Sequence, residues 1–161
     1  MFTWELGQNP ASAPKLRAIA PLIGLPHRGY LDAPGKSSGM PVLVITGTHD
    51  ATVPPGAWES TRHTTTGDGD AYYYTGASAI VRSWGTANSC PYNGAPAVSF
   101  STGTAQADCR TYCAGSAQGW SVGSARVGWP NVLDCRAAMG HTYDLSWSWK
   151  LILDFFDAHS R

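Results

Sequence analysis

The hydrophobic pattern of this chain predicts three strands, at Leu16–Ile23, Pro41–Gly47 and Asn131–Met139. The second is the clearest, because Pro41–Thr46 is an almost unbroken apolar run. Such a run is typical of a strand that is buried on both faces, as in a parallel sheet covered by helices. Ala97–Phe100 is a shorter β-like segment.

Helical patterns lie between and around these strands. We predict a helix at Met1–Gln8, helical turns at Gly56–Arg62, and an amphipathic helix at Tyr72–Ala87. A closing helix is expected to begin after Asp144, which is a suitable N-cap residue. Its predicted apolar face consists of Leu145, Trp149, Ile152, Leu153 and Phe156.

Strands that alternate with helices predict an α/β fold with a parallel sheet. The length of 161 residues is that of one domain, and neither repeats nor a domain boundary interrupt residues 1–161. Three strands are few for such a sheet, so we expect the sheet to be incomplete.

Charge and hydropathy exclude several classes of partner. The chain has 11 basic and 11 acidic residues, a net charge of zero, and no basic cluster. We therefore expect neither nucleic acid nor an anionic membrane as a partner. No apolar run approaches the roughly 20 residues that cross a bilayer, and the first residues shown lack the basic-then-apolar order of a signal peptide.

The cysteines Cys90, Cys109, Cys113 and Cys135 all lie in the second half of the chain. No second close Cys pair or His pair completes a zinc site with Cys109 and Cys113, so no metal is expected. An even cysteine count, few lysines and many small polar residues favour a secreted protein with two disulfides, whose three possible connectivities remain open. Secretion without a signal peptide suggests that Met1 is not the natural beginning.

Asp50 and His141 are the candidate catalytic residues. Asp50 follows the buried strand, at the edge where α/β sheets carry their active residues. His141 follows the last predicted strand through Gly140. An acid and then a histidine, each after its own strand, match the order of the last members of a Ser-Asp-His triad. The alternative is structural: Asp50 caps the turn before Pro54, and His141 bonds to neighbouring backbone.

The motifs around these residues resemble those of secreted feruloyl esterases and polyhydroxybutyrate-depolymerase-like esterases. The resemblance lies in Gly47–Pro54 and Met139–Asp144, in the helix and Asn-x-Cys pattern of Val81–Cys90, and in Arg17–Pro21. It implies the C-terminal part of an α/β-hydrolase, with Asp50 as the acid and His141 as the base of a serine carboxylesterase.

The same resemblance implies what else the enzyme contains. Its nucleophile would lie in a Gly-x-Ser-x-Gly-Gly-Met segment a few residues before Met1, with the oxyanion-hole loop earlier still. The implied substrate is a feruloyl or acetyl ester of plant cell-wall polysaccharide, or a polyester, and no cofactor is implied. The 161 residues alone would then lack the nucleophile and be inactive.

Two alternative functions remain open. A Gly-x-Ser-x-Gly match at Gly119–Gly123 would make Ser121 the nucleophile of a self-contained hydrolase, but neither a preceding strand nor a following helix is predicted there. Alternatively, the seven tryptophans would form the platform of a non-catalytic carbohydrate-binding protein. Tyr143 and Trp147, just past His141, are candidates for stacking on a substrate ring, although a core role also suits them.

Overall fold

The computed structural model describes residues 2–28, 40–66, 72–90, 97–113, 128–142 and 146–160. Along the chain, its elements are α1 (Phe2–Gln8), a 3₁₀ helix (Ala13–Lys15), β1 (Val42–Gly47), β2 (Thr64–Thr65), β3 (Tyr73–Tyr74), α2 (Ala77–Ala87), β4 (Val98–Ser99), β5 (Ala107–Thr111), β6 (Val132–Ala137) and α3 (Ser148–Ala158). The described part of the chain therefore has an α/β fold with three α-helices.

Two strands that are buried at every position form the centre of the sheet. β1 and β6 pair in parallel, with Val42 opposite Val132 and Gly47 opposite Ala137. The predictions of strands at 41–47 and 131–139 are confirmed, with slightly shorter bounds. Continuous apolar runs form such strands because helices cover both faces of the sheet.

The segment predicted as a first strand, Leu16–Ile23, pairs with β1 only in part. Ile19 and Leu22 form isolated parallel bridges to it, and β1 amides donate to the carbonyls of Ile19 and Pro21 over 3.0 and 3.1 Å. The prediction of a continuous strand is wrong, because Pro21 has no N–H to donate and Ile23 has a φ of 52°. The segment nevertheless runs parallel to β1.

The sheet is mixed, which corrects the prediction of a parallel sheet. Its strand order is β1-β6-β5-β4, and both β5 and β4 run antiparallel to their neighbours. The loop from Ser99 to Ala107 is too short for the crossover that parallel strands need, so β4 and β5 form a hairpin. β4 confirms the β-like segment at 97–100.

Helices cover the two faces of the sheet. On one face, Trp4 of α1 and Trp84 of α2 pack against alternate residues of β1 and β6. On the other face, Phe155 of α3 packs against the remaining alternate residues of these strands. The two ring systems of Trp4 and Trp84 lie 5.7 Å apart and are fully buried. This arrangement explains why both central strands are buried on both faces.

Of the three helical segments predicted before the closing helix, one is confirmed, one begins later than predicted and one is not a helix. α1 confirms the helix at 1–8, but α2 begins at Ala77 rather than Tyr72. The preceding tyrosines, Tyr73 and Tyr74, instead pair with β2 as β3. The segment Gly56–Arg62 contains turns but no helix, because Arg136 holds the Gly56 carbonyl and Glu59 has a φ of 65°.

α3 presents a different face to the core from the predicted one. Its buried side chains are Ser148, Leu151, Ile152, Phe155 and Ala158, whereas Trp149, Leu153 and Phe156 are exposed. The buried set follows a single i, i+3, i+4, i+7 stripe, whereas the predicted set combines residues from two faces of the helix. The predicted N-cap Asp144 and Leu145 lie outside the described residues, and the observed N-cap is Trp147.

With 11 residues each, α2 and α3 are the longest described helices, and no described helix is long and apolar enough to cross a membrane.

Both disulfides fasten β5 to its surroundings. Cys90, just after α2, is bonded to Cys113, just after β5. Cys109 and Cys135 are bonded across β5 and β6, where they are directly opposite residues. The prediction of two disulfides is confirmed, and one of the three connectivities is selected.

We predict that replacing either disulfide lowers the free energy of unfolding by about 3 kcal/mol, because each closes a loop of similar length in the unfolded chain. The sequence separations are 23 and 26 residues. The double variants Cys90→Ala/Cys113→Ala and Cys109→Ala/Cys135→Ala are compared by urea denaturation. An unchanged midpoint for either variant would contradict the prediction, as would peptide mapping that finds another pairing.

We predict that His159 makes the protein less stable in mild acid. Burial against Phe155 lowers the pKa of His159 below 6.5, although a hydrogen bond to the Pro130 carbonyl opposes the shift. Between the lowered pKa and 6.5 the unfolded chain binds more protons than the folded chain, so stability falls as pH drops through this window. His159→Gln should flatten the fall in melting temperature between pH 7.5 and 5, whereas His63→Gln, at an exposed histidine, should not. Equal slopes for wild type and His159→Gln would refute this assignment.

Candidate active site

The parallel pairing of β1 and β6 brings two loops to one edge of the sheet. Because Gly47 and Ala137 are opposite each other at the carboxyl ends of the strands, residues 48–54 and 138–142 leave the sheet side by side. The amide of Thr48 donates to the Ala137 carbonyl over 2.9 Å, and the amide of His49 donates to the Met139 carbonyl over 3.0 Å. Backbone hydrogen bonds thus continue beyond the strands and hold the loops together.

Gly47 permits this close approach. A Cβ atom at position 47 would lie 2.3 Å from the Met139 carbonyl oxygen and 3.0 Å from the Gly140 carbonyl oxygen. Both neighbours are backbone atoms that cannot rotate away, so a side chain here would push the two loops apart. The spacing of the loops therefore depends on the absence of a side chain at residue 47.

Asp50 occupies the turn after β1 and uses its two carboxylate oxygens differently. Oδ1 accepts hydrogen bonds from the amides of Thr52 and Val53 over 2.9 and 2.8 Å. Oδ2 lies 2.9 Å from Nδ1 of His141. The structural alternative for Asp50 and the catalytic one are thus compatible, because one oxygen caps the turn while the other is directed at the histidine.

His141 lies on the loop after β6, partly open to solvent. Its side chain is 27 % exposed, whereas that of Asp50 is 1 % exposed. A buried carboxylate at Nδ1 favours the tautomer that carries its proton there, and it stabilises the imidazolium ion. The pair therefore has the geometry of the acid and base of a catalytic triad, with the histidine on the solvent side.

A buried charged network, which the sequence reasoning missed, fixes the far end of the Asp50 loop. Arg136 of β6 donates to Asp134 over 2.8 Å, to the Gly56 carbonyl over 2.7 Å and to Oγ of Ser78 over 2.9 Å. Its guanidinium carbon lies 3.8 Å from the ring centre of Trp58. The signal was present in the sequence, since opposite charges two residues apart in an apolar strand share one buried face and must pair.

Burial affects the acid–base properties of this network. It raises the pKa of Asp134, and the Arg136 guanidinium opposes that rise. Burial likewise raises the pKa of Tyr112, while a hydrogen bond with Ser78 lowers it. Ser78, at the start of α2, also accepts a hydrogen bond from the Glu59 amide over 3.2 Å. Residues 56–59 are consequently tied to both the sheet and α2.

Trp147 lines a cavity of about 340 Å³ between residues 102–106 and the first turns of α3. It is also partly buried against the core, so the core role expected for it holds as well. The other candidate ligand-binding residue, Tyr143, and the candidate nucleophile Ser121 lie outside the described residues. Within the described ranges, no three His, Cys, Asp or Glu side chains cluster in a way that could hold a metal ion.

Comparisons with protein-family models, curated proteins and solved structures found no match to this chain. The assignment of chemistry to the Asp50–His141 pair therefore depends on its geometry and on the sequence motifs that carry it.

We predict that Gly47→Ala destabilises the protein by about 1–3 kcal/mol, as overpacking usually does, and separates Asp50 from His141. The matched control is Gly85→Ala in α2, where the new Cβ would meet nothing closer than 3.8 Å. This control should be neutral or stabilising, because alanine favours a helix over glycine. Thermal unfolding measures the stability, and ¹⁵N NMR of the His141 ring reports the tautomer. Equal stability of the two variants with unchanged His141 signals would disprove the role of Gly47.

Proposed function

We propose that Asp50 and His141 are the acid and the base of a Ser-His-Asp triad in a secreted carboxylic ester hydrolase of the α/β-hydrolase type. The observation that carries the proposal is the 2.9 Å contact between Oδ2 of Asp50 and Nδ1 of His141. The two residues come from loops that follow adjacent parallel strands, in the chain order that α/β-hydrolases use. The α/β fold and the two disulfides support the fold type and the extracellular location, respectively.

Each residue has a defined task in this reaction. His141 accepts the proton of the serine hydroxyl as its oxygen attacks the ester carbonyl, and it then protonates the departing alcohol. A water molecule, deprotonated by the same imidazole, cleaves the acyl-serine ester and releases the acid. Asp50 keeps the imidazole proton on Nδ1 and stabilises the transient imidazolium. No metal or organic cofactor is required for these steps.

The proposal assigns the nucleophile to a Gly-x-Ser-x-Gly segment that precedes residue 1 in a longer protein. The substrate class that follows from the resemblance is a feruloyl or acetyl ester of a plant polysaccharide, or a polyester. On this proposal the 161 residues supply the acid, the base and part of the sheet, and do not turn over an ester by themselves.

The test is fluorophosphonate labelling of the protein from its natural source, followed by peptide mapping. We expect the label on a serine outside the 161 residues, and a fall in turnover of about 10⁴-fold when Asp50→Asn is introduced into that protein, because the imidazole then adopts the wrong tautomer. The control Asp157→Asn, at an exposed position of α3, should keep full activity. A label on Ser121 would support the self-contained hydrolase instead, and no labelled serine would refute the esterase proposal.

A further inference from the structure

The cavity beside Trp147 lies at the same edge of the sheet as Asp50 and His141. Ala107, the first residue of β5, is opposite Ala137, the last residue of β6. The β4–β5 loop that precedes Ala107 is therefore at the edge from which residues 138–142 leave β6. The cavity opens between this loop and the start of α3, so a molecule held there would approach the edge that carries the Asp–His pair.

The lining of this cavity combines one aromatic wall with many polar groups. Trp147 and Leu151 supply the apolar surface, and hydroxyl and amide groups come from residues such as Thr104, Gln106 and Ser146. A wall of this kind suits a ligand with one apolar face and a rim of hydroxyl groups. A pocket for a purely aliphatic acyl chain would be lined mainly by hydrophobic side chains instead.

The charges in the cavity compensate each other. Lys150 and Asp154, one turn apart on α3, form an ion pair with Nζ and Oδ2 2.5 Å apart, and both line the cavity. No other charged side chain is among its described lining residues. The lining therefore carries no net charge that would favour a charged ligand, and the pair, whose Lys150 side chain is 81 % exposed, offers a donor and an acceptor to a neutral one.

We infer that this cavity binds a neutral pyranose saccharide, the sugar portion of a polysaccharide ester. The C–H face of the sugar ring would lie on Trp147, and its hydroxyl groups would bond to Gln106 and to the Lys150–Asp154 pair. The volume of about 340 Å³ is near the lower end of the range for small-molecule sites, roughly 300–1,000 Å³, and suits a mono- or disaccharide. The inference deepens the proposed function and rests on it for the role of the sugar, because it selects a polysaccharide ester over a polyester.

The test measures saccharide binding by the 161-residue chain, so it requires no ester cleavage. Xylobiose is titrated into wild type, Trp147→Ala and the matched control Trp149→Ala, with isothermal calorimetry and indole N–H chemical shifts as readouts. Trp149 is two residues away, 60 % exposed, and not part of the cavity lining. We expect saturable binding that weakens at least tenfold in Trp147→Ala and changes less than twofold in Trp149→Ala.

A second pair of variants covers the case in which Trp147→Ala fails to fold, since Trp147 also contacts the core. Gln106→Ala removes an exposed cavity residue and should weaken binding at least threefold, whereas Ser101→Ala, also exposed but outside the lining, should not. Absence of xylobiose binding would overturn the inference. Equal effects of the cavity and control variants, or binding of ferulate in place of the sugar, would overturn it as well.

The outcomes separate the two proposals. If a serine outside the 161 residues is labelled but xylobiose does not bind, the esterase proposal stands and the saccharide site is wrong. If xylobiose binds at Trp147 but no serine is labelled, the site stands and the non-catalytic carbohydrate-binding protein replaces the esterase.

Discussion

The in-register parallel pairing of β1 with β6 is the constraint on which the rest of the structure depends. Two strands that are buried on both faces can only be accommodated with a helical layer on each side, which is where α2 and α3 lie. Parallel strands also end at the same edge, so the loops that follow them are neighbours although Asp50 and His141 are 91 positions apart in the sequence. Shifting the register by one residue would turn every side chain of a strand to the other face and move one loop relative to its partner.

The buried charges of β6 complement this pairing. Asp134 and Arg136 interrupt an apolar strand, and taking them out of water costs several kcal/mol per ion before their attraction offsets the loss. The hydrogen bonds of Arg136 to Gly56 and Ser78 attach the segment after the Asp50 turn to the sheet and to α2. The buried pair thus positions this segment in spite of its desolvation cost. The Asp50 loop is thus held at its start by Gly47 and at its end by Arg136, and the carboxylate between them has little freedom to leave His141.

Local sequence signals sufficed for the central strands and for the Asp–His pair, because a buried strand followed by a polar turn is encoded within about ten residues of chain. Local signals are insufficient where contacts between distant residues determine the position of an element. β5 carries Asp108 and Arg110 and shows no continuous apolar pattern, so its place beside β6 depends on distant partners, including the bond from Cys109 to Cys135. The predicted face of α3 is wrong because Trp149 and Leu153 are apolar yet exposed, and composition alone does not distinguish them from Leu151 and Phe155.

The two disulfides divide the molecule into regions with different sensitivity to a reductant. Both bonds end on or next to β5, whereas β1 and the loops that carry Asp50 and His141 contain no cysteine and are held by hydrogen bonds and packing. Reduction would remove both covalent links of β5, which follows the 102–106 loop at one wall of the cavity beside Trp147, and would leave β5 its backbone pairing with β6. The covalent constraints of the molecule therefore lie on the side of the cavity, whereas the contact between Asp50 and His141 lies on the side that non-covalent interactions hold.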